Sequence, residues 1–364
     1  MADIKRKLAT IRTIKSVEPI EGADSIVKLT FESMNWVCVT NKDSNPVPGQ
    51  RRVYFEIDSV LPDLPIFEFM KPYRFRVKTI KLRGQVSQGL SIPLEEIFDS
   101  FKDEYFGAIS DYANEGDDLT DLIGVVKYEI PEDVNIGGDT KGSFPGFITK
   151  TDEERAQNID HIEDVLATQD LSTSVKVDGS SATFYLYEGE FGVCSRNLEL
   201  KDTETNTLWK LARKYKLKER MEAFALGTPQ ATEELQNFAL QGEVAGPGIQ
   251  NNRAKLLEVG LYIFTAQDID NTSRLDPEEL NRLIDLLNQY EPDAPKIMKV
   301  PFLGVYPAGT FKTIKDLEDF SKGPTALDGT SDKNVQREGV VFRSVDGNIS
   351  FKYINPQYLL KHDL

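Results

Sequence analysis

Around residues 172–187 apolar and polar positions alternate with the two-residue period of a strand. Alternation puts Lys176 and Asp178 on one face and Val175 and Val177 on the other, so an amine and a carboxylate point into the same space. Gly179 allows a backbone bend beside them, and a second strand leaves through residues 182–187. The same period marks residues 8–11, 25–31, 36–39, 52–57 and 76–82, separated by turn signals such as Glu21-Gly22-Ala23-Asp24, Ser44-Asn45-Pro46 and Pro48-Gly49. Five short strands in fewer than about 100 residues predict a small closed barrel of the OB type.

Downstream the pattern changes. Residues 98–109 are predicted as a helix and 125–131 as a strand closing the first domain. Residues 135–146 hold four Gly and one Pro and read as a linker. Thr151 with Glu154 three residues on makes a capping box for a short helix, on which Arg155 is a solvated charge. Strands are predicted at 191–197, 240–248 and 259–266, and a helix from 207 to about 224. Asp276-Pro277-Glu278-Glu279 starts a helix that runs to about 290. A second helix spans 313–322, and Asp346-Gly347 turns a hairpin between 337–343 and 348–353. The fold class is therefore α+β: an OB-like domain over 1–130, a linker over 131–148, and a second domain of antiparallel sheets and flanking helices over 149–364.

Composition narrows the chemistry. The net charge of −16 argues against a protein that coats nucleic acid indiscriminately. The charge is uneven, however: +5 over residues 1–90, −16 over 91–170 and −5 over the remainder. Only the front end suits phosphate. Within it, Arg74, Arg76 and Lys78 alternate with Phe75 and Val77, which predicts a basic strand face that tracks a nucleic-acid backbone; an ordinary solvated face is the plainer alternative. Cys38 and Cys194 lack metal-ligand spacing and point to reduced thiols in a cytosol-like compartment. With only His161 and His362, any metal is held by oxygen, which favours Mg²⁺ or Mn²⁺. No apolar run reaches membrane-spanning length, and residues 1–7 precede no signal-type apolar segment. No coiled coil is evident, so a monomer is expected.

A lysine between β-branched residues is a candidate nucleophile, because burial favours the neutral amine. For Lys-x-Asp-Gly alone, a surface lysine on a half-exposed hairpin is the plainer reading. Five further short motifs follow in order: Ser195-Arg196-Asn197, Gly242-Glu243, Tyr262-x-Phe264, Glu338-Gly339-Val340-Val341 and Phe351-Lys352. This ordered set resembles the nucleotidyltransferase motifs of covalent ligases and mRNA-capping enzymes. The OB-like segment precedes the motifs, whereas DNA ligases and capping enzymes carry theirs afterwards. That order resembles the RNA ligase 5 clade of ATP-dependent, nick-sealing RNA ligases. Residues 53–62, 82–90 and Lys150-Thr151-Asp152-Glu153-Glu154-Arg155 are similar to that family too.

The resemblance implies a set of roles. Lys176 is the nucleophile that becomes adenylylated by ATP. Asp178 and Glu338 hold a hydrated Mg²⁺ (or Mn²⁺), through its waters. Arg196 and Glu243 bind the ribose or the reacting nucleic-acid end. Phe264 stacks on adenine, with Tyr262 as a fallback. Lys352 contacts the α-phosphate, and Arg155 the β- and γ-phosphates. The implied partner is a nicked duplex with RNA on the 3′-OH side. Two departures stand out. Many RNA ligases have Lys-x-Lys in the last motif where this chain has Ser350-Phe351-Lys352, and many have Glu before the nucleophile where it has Val175. A phosphate contact is then lost or replaced, and adenine is read mainly by backbone and stacking. A DNA ligase or capping-type transferase shares the first step and differs in acceptor. A non-catalytic OB-fold nucleic-acid-binding protein is the alternative outside enzymes, and the intact set of Lys176, Asp178, Glu243, Glu338 and Lys352 argues against it.

Overall fold

Strands Val37–Asn41, Ile26–Phe31, Ala9–Pro19, Arg51–Phe55 and Leu90–Pro93 form, in that order, a five-stranded antiparallel sheet that carries the N-terminal part of the chain. The structure is a computed structural model describing residues 6–109, 114–128, 140–227 and 235–364, with backbone alone over 102–109. The first strand bulges between Ile14 and Ser16, which lets one long strand turn between two partners. A hairpin, Thr79–Leu82 with Gln85–Gln88, reaches the sheet edge where the Ser87 hydroxyl accepts from the Val39 amide at 2.9 Å. Helix Leu94–Ile109 and the pair Ser59–Val60 with Val126–Lys127 complete this part. Its core gathers Ile11, Val53, Phe55, Phe67, Ile92 and Ile97. Glu129, Ile130 and Pro131, expected in the closing strand, lie outside the described residues, as do residues 131–139 of the linker.

The rest of the chain builds two sheets. An eight-stranded sheet orders Thr140–Ser143, Leu198–Leu200, Glu190–Cys194, Ser180–Tyr187, Phe238–Ala245, Gly260–Asp268 and Ser273–Arg274, with Met298–Lys299 beside Gly260–Asp268. Helices Thr207–Lys214, Leu217–Gly227 and Pro277–Tyr290 supply apolar faces to its core. The expected single helix from 207 breaks at Lys216, whose φ is 48°. A five-stranded sheet orders Glu154–Arg155, Ser350–Ile354, Gly339–Ser344, Leu171–Lys176 and Phe302–Tyr306. Beneath it Phe342 stacks on Phe351 at 5.1 Å and Phe311 meets Phe342 edge-on at 5.6 Å. Such buried side chains each contribute about 1.5–3 kcal/mol. Among the described residues no helix is long and apolar enough to cross a membrane.

Tertiary pairing overrides three local expectations. Leu171–Lys176 and Ser180–Tyr187 do not form a hairpin with each other; each pairs into a different sheet, so Lys176 to Gly179 is the joint between the two sheets. Gly179 is required by close approach rather than by bending: a Cβ there would lie 2.3 Å from the Val244 carbonyl and 2.9 Å from Glu243 Cγ. Residues 151–155 form no capped helix. Glu154–Arg155 is a strand parallel to Ser350–Ile354, and the ladder bonds outweigh the local capping preference. Finally, Thr140–Ser143, within the expected linker, is an edge strand of the larger sheet, and Phe147 stacks on Tyr187 at 4.3 Å.

The two parts of the chain are sealed together. Ile354 and Leu359 pack into the cluster of Phe31, Trp36 and Tyr54. The Trp36 indole donates to Asn158 Oδ1, and the Asn35 amide to the Gln157 carbonyl at 2.8 Å.

Candidate active site

Lys176 ends its strand opposite Gly339, which places its amine against the side chain of Glu338, the residue before Gly339. Nζ lies 2.7 Å from Glu338 Oε2, with 27% of the lysine side chain and 14% of the glutamate accessible. Asp178, two residues on, is held by Arg253 Nη1 at 3.0 and 3.1 Å and by the Tyr358 hydroxyl at 2.8 Å. Glu243 enters from the neighbouring sheet through the approach at Gly179. Burial pushes the Lys176 amine toward its neutral form, but Glu338, Glu243 and Asp178 outweigh burial and hold its pKa above the ordinary lysine value. Burial alone therefore does not prepare this nucleophile.

Burial, Glu338 and Asp178 raise the Glu243 carboxyl to about 8 against the pull of Lys176. Its folded pKa thus exceeds its ordinary value of 4.5, so the folded state binds more protons than the unfolded chain between those values. Stability of the nucleotide-free protein is expected to fall as pH rises through that window. Melting temperatures should drop by a few degrees between about pH 5 and pH 8, and Glu243→Gln should flatten the drop. An unchanged slope in that variant would exclude Glu243 as its source.

A second row of cations runs away from Lys176. Lys352 lies across Val341 on the adjacent strand, and Arg155 lies across Lys352 on the next. Burial depresses the Lys352 amine, and Lys176 and Arg155 add to that against Asp152. Asp152 spans two of the cations, with Oδ1 3.1 Å from Lys352 Nζ and Oδ2 3.0 Å from Arg196 Nη2. Despite the cost of burial, Lys352 and Arg196 hold its carboxyl down to about 2. Asp152 thus neutralises two of the cations through charge-assisted contacts.

Phe264 is half-buried in a bulge, where the register between Phe238–Ala245 and Gly260–Asp268 slips by one residue. Its carbonyl accepts from Arg343 Nη1 at 2.9 Å, and Arg343 Nη2 pairs with Glu153 at 2.9 Å. The Ser350 hydroxyl donates to the same Glu153 oxygen at 3.1 Å. So where a lysine was expected, a serine–glutamate–arginine cluster stands. Tyr262, the fallback for stacking, is buried with Val177, Ala245, Leu256 and Leu327 and offers no free ring face.

The basic strand face is not formed. The strand begins only at Thr79, because Arg74 and Phe75 both adopt left-handed backbone (φ 53° and 57°) after the turn of helix that ends at Tyr73. Arg76 pairs with Asp58 at 3.1 Å and lies over the Tyr128 ring, and Lys78 pairs with Asp363 at 2.6 Å. Arg74 is exposed. Local alternation suggested a strand, but tertiary ion pairs claimed two of its three cations.

Sequence reasoning missed Arg253, Tyr358 and Asp152. Arg253 follows Gly246-Pro247-Gly248 in an irregular loop with no period to read. Tyr358 sits on helix Pro356–His362, which was not predicted; its start signal is Asn355-Pro356, where the Asn355 side chain caps the Gln357 amide at 3.0 Å.

Comparison with known proteins adds independent findings. An RNA ligase family model matches residues 169–354, and an OB-fold domain model matches residues 8–94. Comparison with curated protein sequences gives no match. Among solved structures the chain is similar to Naegleria gruberi RNA ligase at 36% identity. A ligand-free variant of that protein superposes with a TM-score of 0.83 over 98% of each chain. A variant with AMP and Mn gives 0.82 and one with ATP and Mn gives 0.83, each over 98% of this chain and 99% of that one. With the family model spanning just over half of its residues, among them Lys176, Glu243, Glu338 and Lys352, this chain belongs to the RNA ligase family.

Proposed function

We propose that the protein is an ATP-dependent RNA ligase that seals 3′-OH/5′-phosphate nicks through a covalent lysyl-AMP. The observation that carries this reading is the Lys176 amine, 2.7 Å from Glu338 and among three carboxylates, at the head of a row of cations. Free lysine has a pKa of about 10.4, so presenting it neutral at pH 7 costs about 4–5 kcal/mol without assistance. Phosphoryl transfer otherwise asks the protein for positioning and charge stabilisation, which Lys352, Arg196 and Arg155 can supply.

In the first step Lys176 Nζ loses its proton and attacks the α-phosphorus of ATP. A P–N bond forms, and the P–O bond to pyrophosphate breaks. In the second step a 5′-phosphate oxygen attacks that phosphorus, the P–N bond breaks and Lys176 is regenerated. In the third, a 3′-OH attacks the activated 5′-phosphorus and AMP leaves. Phe264 is the stacking surface for adenine, and Ser350 with Arg343 replaces the lysine expected in the last motif.

The site also fits a divalent cation. Asp178, Glu243 and Glu338 converge on one ammonium, and Glu243 is pushed up to about 8, so further positive charge would relieve them. Among the described residues no group of three metal-ligating side chains is preformed. Asp178 and Glu338 would hold Mg²⁺ or Mn²⁺, with Glu243 beside them, and the ion supplies charge neutralisation around the α-phosphate. Cys38 and Cys194 are free and buried, which suits a reducing compartment, and a monomer is the simplest assembly.

The acceptor decides between ligase types. With ATP and Mg²⁺, a nick whose 3′-OH strand is RNA is expected to be sealed, and an all-DNA nick to be sealed far more slowly. Equal sealing of both would favour a DNA ligase. Transfer from GTP to a 5′-diphosphate RNA end would favour a capping-type enzyme.

A further inference from the structure

The strand ladders fix Lys176 but not Asp178. One strand ends at Lys176 and the next begins at Ser180, so Asp178 stands in the joint, outside both ladders. Two side chains from far along the chain hold it instead. Arg253 places a single nitrogen, Nη1, 3.1 Å from Oδ1 and 3.0 Å from Oδ2. That near-symmetric contact balances the charge but selects neither oxygen. The Tyr358 hydroxyl donates to Oδ2 at 2.8 Å, which breaks the symmetry and leaves Oδ1 with more of its acceptor capacity unused.

Tyr358 has a rigid mount. It is 2% exposed, and its ring packs on His362 at 4.4 Å. Its helix, Pro356–His362, is capped by the buried Asn355, whose own amide donates to the Glu338 carbonyl at 2.8 Å. Leu359 of the same helix is buried in the cluster of Phe31, Trp36 and Tyr54. One short helix is thus tied at its start to the backbone of Glu338 and, one turn on, to the side chain of Asp178. It spans the two carboxylates that suit a cation.

We propose that Tyr358 is a positioning residue for the divalent cation: its hydroxyl sets the rotation of the Asp178 carboxylate relative to Glu338 and keeps one Asp178 oxygen open to the cation's water shell. This inference rests on the ligase reading of the Lys176 site. It assigns Tyr358 no contact with nucleotide or metal. Its action is through Asp178, whose carboxylate would otherwise have to be ordered by the cation.

The test reads the cation directly. Full-length Lys176→Ala, which cannot form the adduct, is saturated with AMP and titrated with Mn²⁺, the free ion being followed by electron paramagnetic resonance. Adding Tyr358→Phe removes one oxygen and keeps the ring. Mn²⁺ is then expected to bind roughly tenfold more weakly, the lower end of what losing one hydrogen bond to a charged group gives, while AMP affinity without metal stays unchanged. With Asp178→Asn also present, Tyr358→Phe should add nothing, because its route to the cation is gone. In the protein that retains Lys176, Tyr358→Phe should raise the Mg²⁺ needed for half-maximal lysyl-AMP formation by a similar factor, with the rate recovering once Mg²⁺ saturates. Unchanged Mn²⁺ affinity overturns the proposal. So does an equal further loss beside Asp178→Asn, or weaker AMP binding without metal, as general loosening of the fold would give. A Lys176→Ala parent that binds neither AMP nor Mn²⁺ would instead overturn the ligase reading, and the inference with it.

Discussion

Lys176→Ala is expected to lose all covalent labelling by α-³²P-ATP, while the wild-type protein retains a labelled band on a denaturing gel. The alanine has no group that can form the P–N bond, so the loss is complete rather than graded. Bound AMP is first discharged from the purified protein with pyrophosphate, because a site already adenylylated cannot accept label. The same variant is expected to keep the third step. There the 3′-OH attacks an end that already carries AMP, and the lysine forms no bond. Label on Lys176→Ala would overturn the assignment of the nucleophile. Unlabelled wild type would shift the reading to a non-catalytic nucleic-acid-binding protein, with Ser350 the first residue to examine.

Glu338→Gln carries the second largest expected effect. Glu338 is both the 2.7 Å partner of the Lys176 amine and one of the carboxylates placed for a cation. Its neutral isostere keeps the shape and removes the charge. Loss of one preorganised electrostatic group of this kind costs about 10²–10³-fold in rate, and lysyl-AMP formation should fall by that factor. The sign of the accompanying pH effect follows from the ion pairing. Burial depresses the Lys176 amine, and Glu338 leads the carboxylates that oppose it. Without Glu338 the amine loses its proton more readily, so the residual rate of the variant should level off at lower pH than the wild-type rate. Near-normal labelling at saturating Mg²⁺ would remove Glu338 from the chemistry. A profile displaced to higher pH would contradict the ion-pair account.

Arg155 and Arg76 show how far pattern carries. By local pattern Arg155 was a solvated helix charge; only resemblance gave it a phosphate role. In the fold it is a buried strand residue joined to Asp58, 97 positions away in sequence. Arg76 had the spacing of an exposed strand face, yet it closes on that same Asp58 and on Tyr128. No local signal identifies such partners, because the preference of a charged side chain is decided by whatever the rest of the chain brings within about 3 Å of it.

By itself the sequence determined the order of parts, a β-rich front followed by a motif-bearing α+β region. It also named the candidate site residues of that region, Lys176, Asp178, Glu243, Glu338 and Lys352. Those residues carry period, charge and order that survive in one dimension. The Asp276-Pro277 helix start was equally legible, because a cap depends only on neighbours within one turn. Tertiary structure alone decided that Lys176 to Gly179 joins two sheets, that Gly179 answers to the Val244 carbonyl, and that Arg253 and Tyr358 hold Asp178. It also decided the protonation of the site. Three carboxylates from two sheets keep the Lys176 amine charged, and their sum is a property of distances that no spacing along the chain records.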